Sequence, residues 1–126
     1  MAQNVLYNLD AEQAILGCVL IENEIMTALS DEMKVQDFYD RRHQIIFSAM
    51  LNICKSQMQI DFTTLIAELQ TKNQLIEAGG AVYLSSLIDA VYTTANINDY
   101  IQIVQDAALK RNVIAAATSI AEAGYN

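Results

Sequence analysis

The stretch from Asp37 to Gln57 constrains the fold of this chain more than any other. Ile46, Phe47, Met50, Ile53 and Cys54 recur there at steps of three and four. That spacing gathers side chains on one face of a helix turning about 100° per residue, and the face is apolar enough to be a core face. Asp37 and Asp40 stand at the start, where free amides and the helix dipole favour negative charge. Ile45, Ala49 and Leu51 widen the apolar arc beyond one stripe, so the helix needs neighbours on more than one side and is expected to be the central one.

The rest of the chain carries the same period. Leu9-Asp10-Ala11-Glu12-Gln13 reads as a helix start, with Asp10 as N-cap and Gln13 placed to close a variant of the capping box. Ala11, Ala14, Ile15, Cys18 and Val19 form its inner face, extended by Leu16 and Leu20. Ile25, Met26, Leu29 and Met33 predict a second helix that ends within residues 34–37. After a polar break at residues 56–59, Asp61 is a good N-cap, and Ile60 and Leu65 occupy the positions of a hydrophobic staple. Leu65, Ile66 and Leu69 give that helix its buried side, residues 71–73 close it, and residues 74–78 predict one further helical turn. Gly79-Gly80 can take positive φ cheaply and punctuates the chain. Ala81, Leu84, Leu87, Ile88 and Val91 then line one face of another helix. The chain has no proline, so caps and glycines must set every boundary.

Residues 96–125 form the longest helical tract, and its pattern changes partway. Ile97, Tyr100, Ile101, Val104, Ala107 and Ala108 make one stripe, whereas Val113, Ala116, Ala117, Ile120 and Gly124 centre about 160° away. The switch falls at residues 109–112. Either the helix breaks there, or a continuous helix packs on its own domain first and on something else afterwards. The small residues of the second half suit close approach by another helix, and no complementary partner stands elsewhere in the chain. The tail therefore reads as the first arm of a helical hairpin cut short, or as a surface for another subunit. The expected architecture is all-α: a compact multi-helix head over residues 1–108, and the start of a hairpin or oligomerisation arm over residues 109–126.

At 126 residues and 53% hydrophobic, the chain is long and apolar enough to bury a single core, and a disordered tail is excluded. No apolar run reaches the roughly eighteen residues of a membrane span, and Met1-Ala2-Gln3-Asn4 lacks the basic start of a signal peptide, so a cytoplasmic protein is expected. Fifteen acidic residues against seven basic ones give a formal charge of −8. Arg41-Arg42 and Lys110-Arg111 are the only basic pairs, too few to displace the counterions of a nucleic-acid backbone, so weak DNA binding is expected. Cys18 and Cys54 sit among apolar neighbours and are expected to be free, buried thiols.

Residues with chemical potential are few. His43 shares a helix face with Ile46 and Phe47, and Cys54 lies at nearly the same angle but about 16 Å further along the axis, so the two cannot chelate one ion. A histidine at a helix start, hydrogen-bonding a neighbour, is the better account of it. Asp37 with Asp40 and Asp31 with Glu32 read as caps and solvated faces. Gly17, Gly79, Gly80 and Gly124 match neither a Walker loop nor a dinucleotide fingerprint. The six tyrosines lack the basic groove that base stacking needs, and most are expected to be half-buried with the hydroxyl at the surface. No metal, cofactor or catalytic residue is expected.

Several phrases, in order along the chain, resemble the N-terminal domain of the bacterial replicative DNA helicase, the DnaB family. They are Asp10-Ala11-Glu12-Gln13-Ala14-Ile15-Leu16-Gly17, Asp37-Phe38-Tyr39 with His43-Gln44-Ile45-Ile46-Phe47, Ile60-Asp61, Gly79-Gly80-Ala81-Val82-Tyr83-Leu84, Ala95-Asn96-Ile97-Asn98-Asp99-Tyr100 and Leu109-Lys110-Arg111-Asn112-Val113-Ile114. The family usually carries a proline before the first helix, where Asn8-Leu9 stands here. The resemblance implies a helical head, then a hairpin that pairs with its counterpart on another subunit to form the collar of a hexameric ring. It also implies docking of primase and, in some systems, of a helicase loader. ATP hydrolysis, with its ATP and Mg, would belong to a separate C-terminal RecA-like domain that this chain does not contain. Val113, Ala116, Ala117 and Ile120 are the residues expected at the subunit or primase interface, against the alternative of a local contact within the chain. A different class of function, a stand-alone helical-bundle enzyme or adaptor using buried acids with His43, would be supported by inward Glu-x-x-His pairs, and none occurs.

Overall fold

Caps rather than prolines fix the element boundaries. The structure, a computed structural model, describes residues 6–125, which form the helices α1 (Leu9–Ile21), α2 (Ile25–Glu32), α3 (Arg41–Lys55), α4 (Phe62–Thr71), α5 (Gly80–Asp89) and α6 (Ile97–Tyr125), with a 3-10 turn at Val35–Asp37 before α3. The Asp40 carboxylate accepts the Arg42 amide at the start of α3. Asp61 and Thr64 close a reciprocal capping box at α4. The Ala78 amide returns to the Gln74 carbonyl at 2.9 Å, the single helical turn expected ahead of the glycines. Gly79 and Gly80 hold φ of 108° and 82°, a region that costs an L side chain dearly.

At α1 the sequence misleads. The N-cap is Asn8, whose side chain accepts the Ala11 amide at 2.9 Å, and Asp10 lies within the first turn. Asn and Asp cap almost equally well, so residue type alone could not choose between positions two apart. Gln13 closes no capping box; its amide donates to the Tyr83 hydroxyl of α5 at 3.1 Å.

The centre of the head also lies elsewhere than expected. α3 buries Ile45, Ile46, Phe47, Ala49, Met50 and Ile53, but it packs chiefly on α4, α1 and the 3-10 turn. α1 packs on α6, α5, α3 and α2 and is the hub. Ala11, Ile15, Leu16, Gly17, Cys18 and Val19 are all buried, so α1 is apolar nearly all round, the pattern of a helix surrounded by others. Gly17 makes this possible on the α5 side: a methyl group there would collide with the Leu87 carbonyl oxygen and the Val91 side chain. Leu84 and Leu87 are buried on α5, whereas Ala81 points to solvent, one turn too early to meet the core. Cys18 and Cys54 are free thiols, Cys18 buried and Cys54 half-buried at the edge of the core. Burial, with the nearby Glu22 carboxylate, pushes the Cys18 thiol above its ordinary value and keeps it protonated.

α6 is unbroken across residues 109–112. Its first half buries Ile101, Val104, Ala107 and Ala108 against α1 and the 3-10 turn. Residues 112–125 are exposed throughout, so the second half stands clear of the head as an arm. No helix among the described residues is long and apolar enough to cross a membrane.

Candidate functional site

The arm carries the residues singled out for assembly. Val113 is 59% and Ile120 is 74% exposed, and Ala116 and Ala117 are exposed between them. At 100° per residue these four, with Gly124, lie on one side of α6, opposite the side that packs on the head. Past Arg111 the head-facing positions become Ala115, Thr118, Ser119 and Glu122. The helix thus stops being apolar toward the head at the point where the head ends, and becomes apolar on the other side. Alanine and glycine there leave room for a helix axis at close range, and Val113 and Ile120 supply the area to be buried. The described residues do not cover this face, so the alternative of a contact within the chain has no counterpart among them.

His43 lies in a second arrangement, deep in the head. Its ring is fully buried, and beside it the Glu12 carboxylate of α1 is 1% exposed. Nδ1 of His43 stands 2.7 Å from Oε1 of Glu12, and Nε2 stands 2.6 Å from the Tyr83 hydroxyl. The amide of Tyr39 donates to Oε2 of Glu12 at 2.8 Å, and that of Asp40 to Oε1 at 3.3 Å. Because the Gln13 amide already donates to the Tyr83 oxygen, the tyrosine proton is free to go to Nε2 of His43. Burial raises the Tyr83 hydroxyl above its ordinary value, against the opposing effect of the Gln13 hydrogen bond, so that proton stays on. Nδ1 faces the Glu12 carboxylate, which can only accept, so Nδ1 is the donor of that hydrogen bond.

Every donor and acceptor of this knot is thereby matched, and no buried side-chain polar atom among the described residues lacks a partner. Glu12 acts as a remote cap for the start of α3, reaching from another helix to amides that the chain leaves unpaired there. Asp40 and Arg42 close the outer side: their carboxylate and guanidinium meet at 2.8 Å, and Arg42 lies over the Tyr83 ring at 4.1 Å. The Arg42 hydrogen bond holds the Asp40 carboxyl below the ordinary carboxylate range.

The sequence had marked His43 as hydrogen-bonded at a helix start, and it is. Spacing does not name Glu12 as the partner, or show a tyrosine hydroxyl aimed inward. The signal was present: Glu12 stands on the stripe of Ile15, Leu16 and Val19, and His43 on that of Ile46, Phe47 and Met50, polar residues at core positions of two helices. Surface grooves lie among Gln70, Asn73, Leu75 and Ile76, along α3 and α4 near Met58, and beside Tyr100 and Ile103. None of them is lined by Glu12, His43 or Tyr83. Among the described residues no group of three or more His, Cys, Asp or Glu could hold a metal ion.

Residues 4–106 match the family described as the DnaB-like helicase N terminal domain. The chain belongs to that family. The replicative DNA helicase DnaB of Geobacillus stearothermophilus is 42% identical over 118 residues, which cover 94% of this chain and 26% of that protein. The crystal structure of the N-terminal domain of DnaB helicase from Mycobacterium tuberculosis superposes with a TM-score of 0.92 at 34% identity, covering 97% of this chain and 87% of that one. A DnaB-like replicative helicase solved for its interactions with primase gives a TM-score of 0.80 at 29% identity, over 91% of this chain and 27% of that one. The chain thus spans about a quarter of the full-length helicases that it matches. The DnaB-like assignment agrees with the all-helical head described above.

Proposed function

We propose that this chain is the assembly and docking domain of a replicative DNA helicase, and performs no chemistry itself. The outer face of α6 carries the proposal. Val113, Ala116, Ala117 and Ile120 form an apolar stripe held off the head on a rigid helix, in a domain of the DnaB-like family. A second helix, from a returning hairpin arm or from another copy, covers it. Pairing of such arms between subunits builds the collar of a hexamer, and primase docks on the assembled arms, with a helicase loader as a further partner in some systems. Support for the primase contact comes from the related helicase solved for its interactions with primase. ATP binding with Mg, hydrolysis and DNA movement belong to a separate ATPase domain of the parent helicase, which works in the cytoplasm.

The rival reading, a small enzyme using buried acids with His43, gains an acid in Glu12 but no access for a substrate. Both groups are buried, and their hydrogen-bonding capacity is spent on Tyr83 and on the amides of residues 39 and 40.

Sedimentation equilibrium tests the proposal, comparing the chain with the parent sequence continued by about forty residues, enough for a turn and a returning arm. The longer protein associates, and Val113→Asp with Ile120→Asp returns it to monomer with its helical content intact. A longer protein that stays monomeric at high concentration contradicts the proposal.

A further inference from the structure

The arm leaves the head at one residue that touches three other segments. Arg111 is the last position of α6 that is not exposed, and it lies on the head-facing side. Its Nη1 donates to the Leu6 carbonyl at 2.7 Å, and its Nη2 to the Asp37 carbonyl at 2.9 Å. The guanidinium also stands 5.5 Å from the centre of the Tyr39 ring. Tyr39 in turn stacks on Tyr7, with ring centres 4.3 Å apart and planes 10° from parallel. One side chain therefore joins the arm's root, the segment before α1, the 3-10 turn and the loop before α3.

We infer that Arg111 is a latch that sets the angle between arm and head, and that residues 6 and 7 are a strap coupled to it. Helix continuity alone does not fix that angle. Long helices bend elastically, and beyond Arg111 every described residue of α6 is exposed. The 14 exposed residues that follow make a lever about 20 Å long, so a small bend at residues 108–111 moves its tip by several ångströms. A forked, planar donor suits the task, because two carbonyls from two segments are gripped in fixed directions; a lysine would supply one charge without the fork. Coupling runs both ways: releasing the strap loosens the arm, and releasing the arm frees the strap. The inference does not rest on the assembly role, since the latch works within one chain.

Residual dipolar couplings on the dilute, isotopically labelled chain test it. In the native sequence the amides of residues 113–123 report the same alignment as the head. In Arg111→Ala the arm couplings fall about twofold or more while those of the head persist, and the Tyr7 ring protons lose the upfield shift that stacking gives. Arg111→Lys restores neither, although the charge is kept. Tyr7→Ala, whose substitution lies outside the core, lowers the arm couplings in the same direction and by less. Lys110→Ala, an exposed neighbour, changes nothing. Arm couplings unchanged in Arg111→Ala or in Tyr7→Ala would overturn the latch, as would full recovery with lysine.

Discussion

The two halves of α6 share one unbroken backbone and have opposite fates. Ile101, Val104, Ala107 and Ala108 are buried against α1 and the 3-10 turn, while Val113, Ala116, Ala117 and Ile120 face solvent. Both sets are apolar and helically spaced, so propensity does not separate them. The side of the helix on which they lie does, because the head occupies only one side and ends near Arg111. An apolar stripe that changes sides along a continuous helix marks the place where a domain stops using the helix for itself.

Perturbing the head side should cost stability, and perturbing the arm side should not. The largest effect belongs to the buried knot. Glu12→Ala strips the partner from two backbone amides and from Nδ1 of His43, and urea unfolding should show a loss of about 3–5 kcal/mol. Ile101→Ala should cost about 2–4 kcal/mol by leaving a cavity between α6 and α1, whereas Ile120→Ala should stay within about 0.5 kcal/mol of the native chain. Equal losses in those two variants would break the comparison. Gly17→Ala should cost about 1–3 kcal/mol, because the new methyl group pushes α5 away at the Leu87 carbonyl.

The smallest effect is a pH dependence confined to the head. The Asp40 carboxyl is held below its ordinary value chiefly by the Arg42 hydrogen bond, so the unfolded chain takes up this proton at higher pH than the folded one. Its contribution is complete above the ordinary aspartate value, and is lost as pH falls through the depressed folded value. Asp40→Asn keeps an N-cap side chain but removes the charge, and should flatten that part of the acid limb of a thermal-melt profile, with a change of no more than about 1 kcal/mol near neutral pH. An unchanged acid limb would remove Asp40 from the account.

Much of this was legible in the chain because helices announce themselves by period. The cap at Asp61, the turn after residue 73, the positive-φ glycines and the reversal of the α6 stripe follow from spacing and residue type, and the family from phrases spread along the chain. What stayed hidden depends on which helices meet. Asn8 and Asp10 are equally good caps until the chain direction before α1 is known. The wide apolar arc of α1 reads as a heavily buried helix but not as the hub, because a sequence gives the apolar arc of a helix and not the neighbours that fill it. Glu12, His43 and Tyr83 lie on three helices, and no local pattern joins residues 31 and 40 positions apart.

Residue-resolved hydrogen exchange along α6, measured from dilute to concentrated solution of the parent sequence continued by about forty residues, tests the central claim most directly. The account predicts that amides of residues 101–108 exchange only through global unfolding at every concentration. Those of residues 113–123 should exchange at least about a hundredfold faster when dilute, and slow as the protein associates. Uniform protection along α6 in the dilute monomer, or arm amides indifferent to association, would contradict it.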